Sequence, residues 1–490
     1  MDTKIDIALI NSGDKRQIYQ ELGNEIAAIE PPYLIAAIAE YLRKKGFLVT
    51  IVDANAENYS PEETASKVKE INPLLATVIV YGSQPSASTQ NMTAAEKICK
   101  ALKENTTTKV AIGGLHPSAL PKQTLEESKT DFVIEGEGFY TLEKLIKVIK
   151  DRDNDFSEIP GLWYRSNGTI RNNPKALIVN NLNEVLSISD WDLLPMKKYR
   201  AHNWHCFDNL DRRIPYGAIY TSFGCPYNCV FCCINAPFGK PGIRYRNPEF
   251  VVEEIGFLVK KYEVRNLKIA DELFVLNENH YMKIVELLIK NKYDLNIWAY
   301  ARVDTVKAEN LNEMKKAGIN WLALGIESGN PDVRDGASKK LRIKDITNII
   351  KSVQNSGINV LGNYIFGLPD DTVETMQETL DMAIEQKCEF VNFYAAMAYP
   401  GSKLYDIAIK QGWKLPKEWH GFSQHAYETL PLPTKYISAK EVLGFRDNAF
   451  HKYFENIAYL DMIEKKFGLR VRQHIVSITK TRLRRKILEQ

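Results

Sequence analysis

The chain has 490 residues and a mass of 55.9 kDa, enough for roughly three domains and several full cores without disulfide staples. It is 44% hydrophobic and 26% charged, and 64 Lys and Arg against 61 Asp and Glu leave a formal net charge of +3. That near-balance argues against a protein built around nucleic-acid backbone contacts, and seven cysteines in so long a chain argue against a secreted disulfide scaffold.

The amino terminus carries Asp2, Lys4 and Asp6 before a short apolar run, a buried-strand pattern and not a signal peptide. No stretch approaches the roughly 18 apolar residues of a membrane span. The expected compartment is the reducing cytoplasm, where clustered thiols serve as metal ligands more often than as disulfides.

Residues 1–150 alternate apolar strands, over 5–10, 48–52, 76–81, 109–112 and 132–134, with helical patterns over 32–45, 61–71, 90–104, 120–128 and 140–150. Five such units predict a doubly wound, Rossmann-like α/β domain with helices on both faces of a parallel sheet. A ligand on such a sheet sits beyond the carboxyl ends of the strands, where strand order reverses. In a flavodoxin-like order that place is the loops after the first and third strands, Asn11-Ser12-Gly13 and Gly82-Ser83-Gln84-Pro85-Ser86. The fourth strand runs into Gly113-Gly114-Leu115-His116-Pro117, and the fifth into Glu135-Gly136-Glu137-Gly138.

Residues 151–212 read as a linker with a hairpin over 155–173, turning at Ser166-Asn167-Gly168. Residues 213–435 repeat a strand–helix pattern six times, with strands near 218–222, 267–270, 297–302, 321–326, 360–366 and 390–395. Asn247 suits a helix cap and Pro248 the first helical position. Six units predict a partial (β/α)6 barrel of TIM type, with its chemistry at the carboxyl ends of the strands. Residues 436–490 form a helical extension. From 465 to 490 there are nine Lys or Arg and one Glu, so a segment of +8 hangs on a body of −5. A solvated amphipathic helix is the plainer reading of that segment, and a polyanion-binding tail the alternative.

The strongest signal is Cys225-Pro226-Tyr227-Asn228-Cys229-Val230-Phe231-Cys232. Structural zinc takes four closed ligands, and a fourth is not obvious. Cys233 adjoins Cys232, and His205 and Cys206 lie some twenty residues upstream. Three cysteines beside Gly224, Pro226 and Asn228 form a loop and not a core stripe. The remaining reading is an iron–sulfur cluster, which normally takes four thiolates. Three would leave one iron open, the mark of a catalytic site.

Cys-x3-Cys-x-aromatic-Cys after the first strand of a (β/α)6 barrel resembles the radical S-adenosylmethionine superfamily. The resemblance implies a 4Fe-4S cluster on Cys225, Cys229 and Cys232. Its open iron binds the amino and carboxylate groups of S-adenosylmethionine, and one electron cleaves that molecule to methionine and a 5′-deoxyadenosyl radical. It places Phe231 near the adenine. It also implies S-adenosylmethionine contacts at Asp271 and Glu272 after the second strand, Arg302 after the third, and Glu327 and Ser328 after the fourth. Carboxylates suit an ammonium, and an Arg can hold a carboxylate bidentately.

The amino-terminal domain, with Pro31-Pro32-Tyr33, Gly113-Gly114-x-His116-Pro117 and Glu135-Gly136-Glu137-Gly138, makes residues 1 to about 435 resemble the cobalamin-binding branch of that superfamily. The resemblance implies a corrin between the two domains, near Asn11, Ser12, Ser83, Gln84, Gly113, Gly114, His116, Glu135, Gly136 and Glu137. Asp-x-His-x-x-Gly, which supplies a lower imidazole ligand elsewhere, is absent after the first strand, so cobalt without a His ligand is implied.

The expected function is therefore a methyltransferase acting on an unactivated carbon through methylcobalamin and the deoxyadenosyl radical. Its substrate is an unknown small molecule or peptide, and its reductant is a carrier such as flavodoxin or ferredoxin. A non-methylating relative, an oxidative cyclase or rearranging enzyme, would share every motif. Methylthio transfer needs a further amino-terminal Cys cluster, and Cys99 alone lies in residues 1–150. From another class, a metal sensor with a nucleic-acid-binding tail predicts metal without cleavage of S-adenosylmethionine.

Overall fold

The computed structural model describes residues 4–22, 27–81, 85–186, 191–339 and 341–489. The first sheet holds five parallel strands, β1 (Ile7–Asn11), β2 (Val49–Asp53), β3 (Leu75–Val80), β4 (Lys109–Gly114) and β5 (Phe132–Ile134), in the order β2-β1-β3-β4-β5. β3 and β5 are buried at every position, as strands covered on both faces must be. Alternate side chains feed two cores: Ile7 and Leu9 pack with Ile38 and Leu142, while Ile10 and Val78 pack with Met92 and Ile98. Order reverses between β1 and β3, the expected switch point.

The hairpin of the expected linker is part of this sheet. β6 (Leu162–Ser166) pairs antiparallel with β5, and β7 (Thr169–Asn172) with β6. Strand β5 is three residues long with an open edge, and such an edge needs covering. Phe156 packs on Phe132 at 4.9 Å between ring centroids, and the Trp163 Nε1–H donates to Glu135 at 2.7 Å. The sheet therefore extends two strands beyond residue 150.

The second sheet has six parallel strands in chain order: β8 (Tyr216–Ile219), β11 (Asn266–Ile269), β12 (Asn296–Arg302), β13 (Ile319–Glu327), β14 (Asn359–Phe366) and β15 (Phe390–Ala395). Among the described residues its edge strands β8 and β15 do not pair, so the barrel is open. The short strands β9 (Ser222–Phe223) and β10 (Arg244–Tyr245) pair antiparallel and pin both ends of the Cys-rich loop. Helix Pro248–Tyr262 follows, with the Asn247 side chain accepting from the Glu249 N–H.

Buried polar groups join the two sheets' domains. Glu254 takes Arg246 at 2.8 Å, Trp191 at 3.0 Å and Tyr33 at 3.2 Å. Glu137 takes Arg244 at 2.8 Å, and Lys268 reaches Glu30 at 2.9 Å. Helix Ala439–Phe454 then packs on β15, followed by helices Ile457–Phe467 and Leu469–Thr479. Much of the basic tail is matched within the chain: Lys466 to Glu389, Arg470 to Asp211, Arg472 to Asp461 and Glu464, and Arg485 to Asp447. Among the described residues no helix is long and apolar enough to cross a membrane.

Candidate active site

The Cys loop lies over the carboxyl ends of the second sheet because its backbone turns tightly there. Gly224 has φ +90°, and a Cβ on it would sit 2.4 Å from the Gly242 carbonyl oxygen, so only glycine lets the two ends of the loop close. Cys225, Cys229 and Cys232 line one cavity of about 290 Å³ together with Phe231, Glu272, Arg302 and Glu327. All seven cysteines are free thiols. Among the described residues no three His, Cys, Asp or Glu side chains close on a single point. Three thiols of one loop on one cavity wall suit a four-iron cluster, which takes one thiolate at each of several irons, better than a structural zinc ion with four closed ligands. Burial pushes the Cys225 thiol up to about 11 and Cys229 and Cys232 upward too, so metal binding must release protons.

The charged wall of this cavity is built at three strand ends. Glu272, after β11, is half-buried, and its buried Oε2 has no hydrogen-bond partner among the described residues. Burial raises its pKa to about 8, with the neighbouring Asp271 charge adding to the rise. Arg302, ending β12, donates to Asp304 at 2.7 Å and lies 4.4 Å from the Tyr227 ring centroid, which ties that strand to the Cys loop. Glu327, ending β13, holds a left-handed φ of +68° beside a register shift against β14, and pairs with Lys339. A carboxylate kept in such backbone marks a constrained site. Lys339 carries no motif in the sequence; only the fold brings it here.

Two expected contacts are engaged elsewhere. Asp271 accepts the Thr221 N–H at 2.6 Å and the Ser222 hydroxyl at 2.6 Å. It anchors the end of β8 and does not line the cavity, leaving Glu272 as the acid aimed inward. Ser328 is buried, with its hydroxyl 3.2 Å from that of Thr379 and accepting from the Asn330 N–H. It shapes the turn after β13.

A second cavity, about 120 Å³, lies between the domains at the switch point of the first sheet. Asn11 and Ser12 line it, with Pro31, Pro32 and Tyr33 on one side and Ala218, Tyr220 and Ala270 of the barrel on the other. The buried Ser12 hydroxyl has no partner among the described residues, an orphan that a polar ligand would satisfy. Small loops and an unsatisfied hydroxyl fit a corrin edge.

The other expected corrin residues in the described chain make contacts within the fold. A Cβ on Gly114, whose φ is +134°, would meet the Val80 carbonyl oxygen at 2.3 Å, and one on Gly113 would meet Ile134 at 3.2 Å. These glycines let β4 lie close to its neighbours. His116 is buried against Trp419, with ring centroids 4.4 Å apart, and burial holds its pKa at about 3. Glu135 binds Trp163 and Lys175, the Gly136 N–H donates to Ser118, and Glu137 binds Arg244. Of these three, Glu137 alone also borders a small gap of about 40 Å³ between the domains. Ser83 and Gln84 lie outside the described residues.

Residues 219–383 match the Radical SAM superfamily model and residues 21–146 the B12 binding domain model. An uncharacterized methyltransferase of Pyrococcus horikoshii is 30% identical over 394 residues, 80% of this chain and 82% of the relative. The chain belongs to the radical S-adenosylmethionine superfamily, in its cobalamin-binding branch. The cofactors of this radical enzyme are accordingly a 4Fe-4S cluster, S-adenosylmethionine and cobalamin, and it needs a reductant. The anaerobic magnesium-protoporphyrin IX monomethyl ester cyclase of Rubrivivax gelatinosus is 26% identical over 90% of this chain and 77% of its own length. In fold the enzyme resembles the radical methyltransferase TsrM of Kitasatospora setae, with a TM-score of 0.69 at 16% identity, covering 97% and 98% of the two chains. It also resembles the cobalamin-dependent radical enzyme OxsB, with a TM-score of 0.70 at 16% identity over 96% of this chain and 71% of the other.

Proposed function

We propose that this enzyme is a C-methyltransferase that moves a methyl group from S-adenosylmethionine to an unactivated carbon. One observation carries the reading: the two cofactor cavities open on one centre. They share Tyr220 and Ala270 in their walls, so groups held by either domain can meet the same substrate. The relative from Pyrococcus horikoshii, named a methyltransferase, supports it.

When bound, the cluster and the corrin supply the electron and the methyl carrier; the chain supplies position and exclusion of water. In this reading Cys225, Cys229 and Cys232 hold the cluster. Glu272 faces the amino group of S-adenosylmethionine, Arg302 its carboxylate, Glu327 with Lys339 the ribose side, and Phe231 the adenine. Asn11 and Ser12 border the corrin. Residues 1–150 with the added hairpin form the corrin domain, and residues 213–435 the radical domain. The reductant is a low-potential carrier of flavodoxin or ferredoxin type, and free thiols throughout suit the cytoplasm.

The test is anaerobic turnover of reconstituted enzyme with methyl-deuterated S-adenosylmethionine. Label in a product, with 5′-deoxyadenosine and S-adenosylhomocysteine both released, supports methyl transfer. Deoxyadenosine with an unlabelled product would assign the chain to the cyclase-like alternative.

A further inference from the structure

The largest space near the centre is neither cofactor cavity. A third cavity, about 420 Å³, lies inside the open barrel beneath the carboxy-terminal helices, within the size range of small-molecule sites. It shares Tyr300, Tyr394, Tyr399 and Gln424 with the cavity of the Cys triad, and Tyr19, Glu30, Gln90 and His202 with the interdomain cavity. Much of its wall is aromatic: Trp204, Trp298, Phe390, Phe393 and Phe450. Rings favour ring-shaped partners, through offset and edge contacts.

Its charges are unevenly matched. On one side Glu30 and Lys268 pair at 2.9 Å. On the other, Asp447 accepts from Arg446 Nη1 at 2.7 Å and from Nε of Arg485, a buried residue outside the lining, at 2.8 Å. One carboxylate between two guanidiniums leaves one positive charge in excess. Arg446 is buried, and its Nε is taken by the Phe393 carbonyl oxygen at 2.7 Å. Among the described residues its Nη2 has only a long contact, 3.5 Å, to His425. Burial and the two arginines keep His425 neutral, and His451 is paired with Glu455 at 2.9 Å. At the mouth the exposed Arg482 adds a second cation.

We propose that this cavity is the substrate site and takes a ring-containing, largely apolar small molecule bearing one oxyacid group, carboxylate or phosphate, which Arg446 receives. The proposal rests on the methyl-transfer reading for what happens to the bound molecule, but not for the binding. It also assigns a role to the basic tail: residues 481–483 close the cavity from outside and place Arg482 at its entrance.

The test is equilibrium binding to the full chain, followed by quenching of tryptophan fluorescence, with 2-naphthoate, 2-naphthyl phosphate and the neutral 2-naphthamide as probes. At least one anion is expected to bind tenfold or more tighter than the amide, and the stronger of the two identifies the oxyacid. Arg446→Gln should abolish the preference, and Arg482→Gln should weaken anion binding about threefold. Because Arg446 also holds backbone, Gly444→Leu provides a second test. A Cβ there meets only Leu488 at 3.9 Å, so leucine fills the cavity within a helix that prefers it to glycine. That variant should fold with an unchanged or higher melting temperature and bind none of the probes. Amide binding equal to both anions, or probe binding undiminished in Gly444→Leu, would overturn the proposal. Probe binding needs no cofactor, so loss of labelled product in the turnover assay would sink the methyl-transfer reading while leaving this one standing.

Discussion

Arg246 and Glu254 meet at 2.8 Å with neither side chain exposed to solvent. Arg246 also donates to the Tyr33 hydroxyl at 2.8 Å and the Tyr220 carbonyl at 2.8 Å. One ion pair in the radical domain thus holds a side chain of the corrin domain beside the cavity between them. Breaking a buried pair by removing one partner costs about 3–5 kcal/mol. Glu254→Gln is expected to lose that much in denaturant unfolding, and to lose cobalamin affinity in the same preparation. A variant as stable as the parent would show that this ion pair does not hold the domains together.

The cysteine loop makes a prediction about iron. Cys225→Ala, Cys229→Ala or Cys232→Ala should each remove most of the iron after anaerobic reconstitution and the cluster's visible absorbance with it. Cys233→Ala should keep both, because Cys233, though it borders the same cavity, is buried against Leu115 and Ile234 and stands outside the three-thiol spacing. Full iron in any of the first three variants would contradict the assignment.

Glu272 makes a prediction about pH. Its ordinary pKa is 4.5, and burial raises it to about 8 in the folded chain. Between those values the folded state keeps a proton that the unfolded state has released. Stability of the cofactor-free protein therefore falls as pH rises through that window, by at most about 1.36 kcal/mol for each step of one in pH. Glu272→Gln should melt with the parent near pH 4.5 and several degrees above it at pH 8. Parallel melting curves would mean that the carboxyl group is not held protonated.

Arg302 makes a prediction about affinity. Its guanidinium is positioned by Asp304 and Tyr227, and a hydrogen bond to a charged partner contributes about 1.5–3 kcal/mol. Arg302→Met should weaken S-adenosylmethionine binding to the cluster-loaded protein roughly ten- to hundredfold. Calorimetric titration measures it. Unchanged affinity would place the carboxylate elsewhere.

The sequence by itself determined the strand runs, the cysteine triad and its family. Apolar runs with turns between them mark parallel strands, and a three-thiol spacing has few physical uses. It also led to Asp271, Ser328 and His116, whose side chains the fold engages with other residues of the chain, because motif position says which loop a residue is in but not which way its side chain points. Tertiary structure decided that. Asp271 is taken by Thr221 and Ser222, while its neighbour Glu272 is turned into the cavity with an oxygen unpaired. Lys339 reaches Glu327, and Arg446 and Arg482 reach one cavity from the carboxy-terminal segment, across distances in sequence that no local pattern spans. Burial, charge excess and the meeting of three cavities belong to packing between distant segments, and they exist only once the chain has folded.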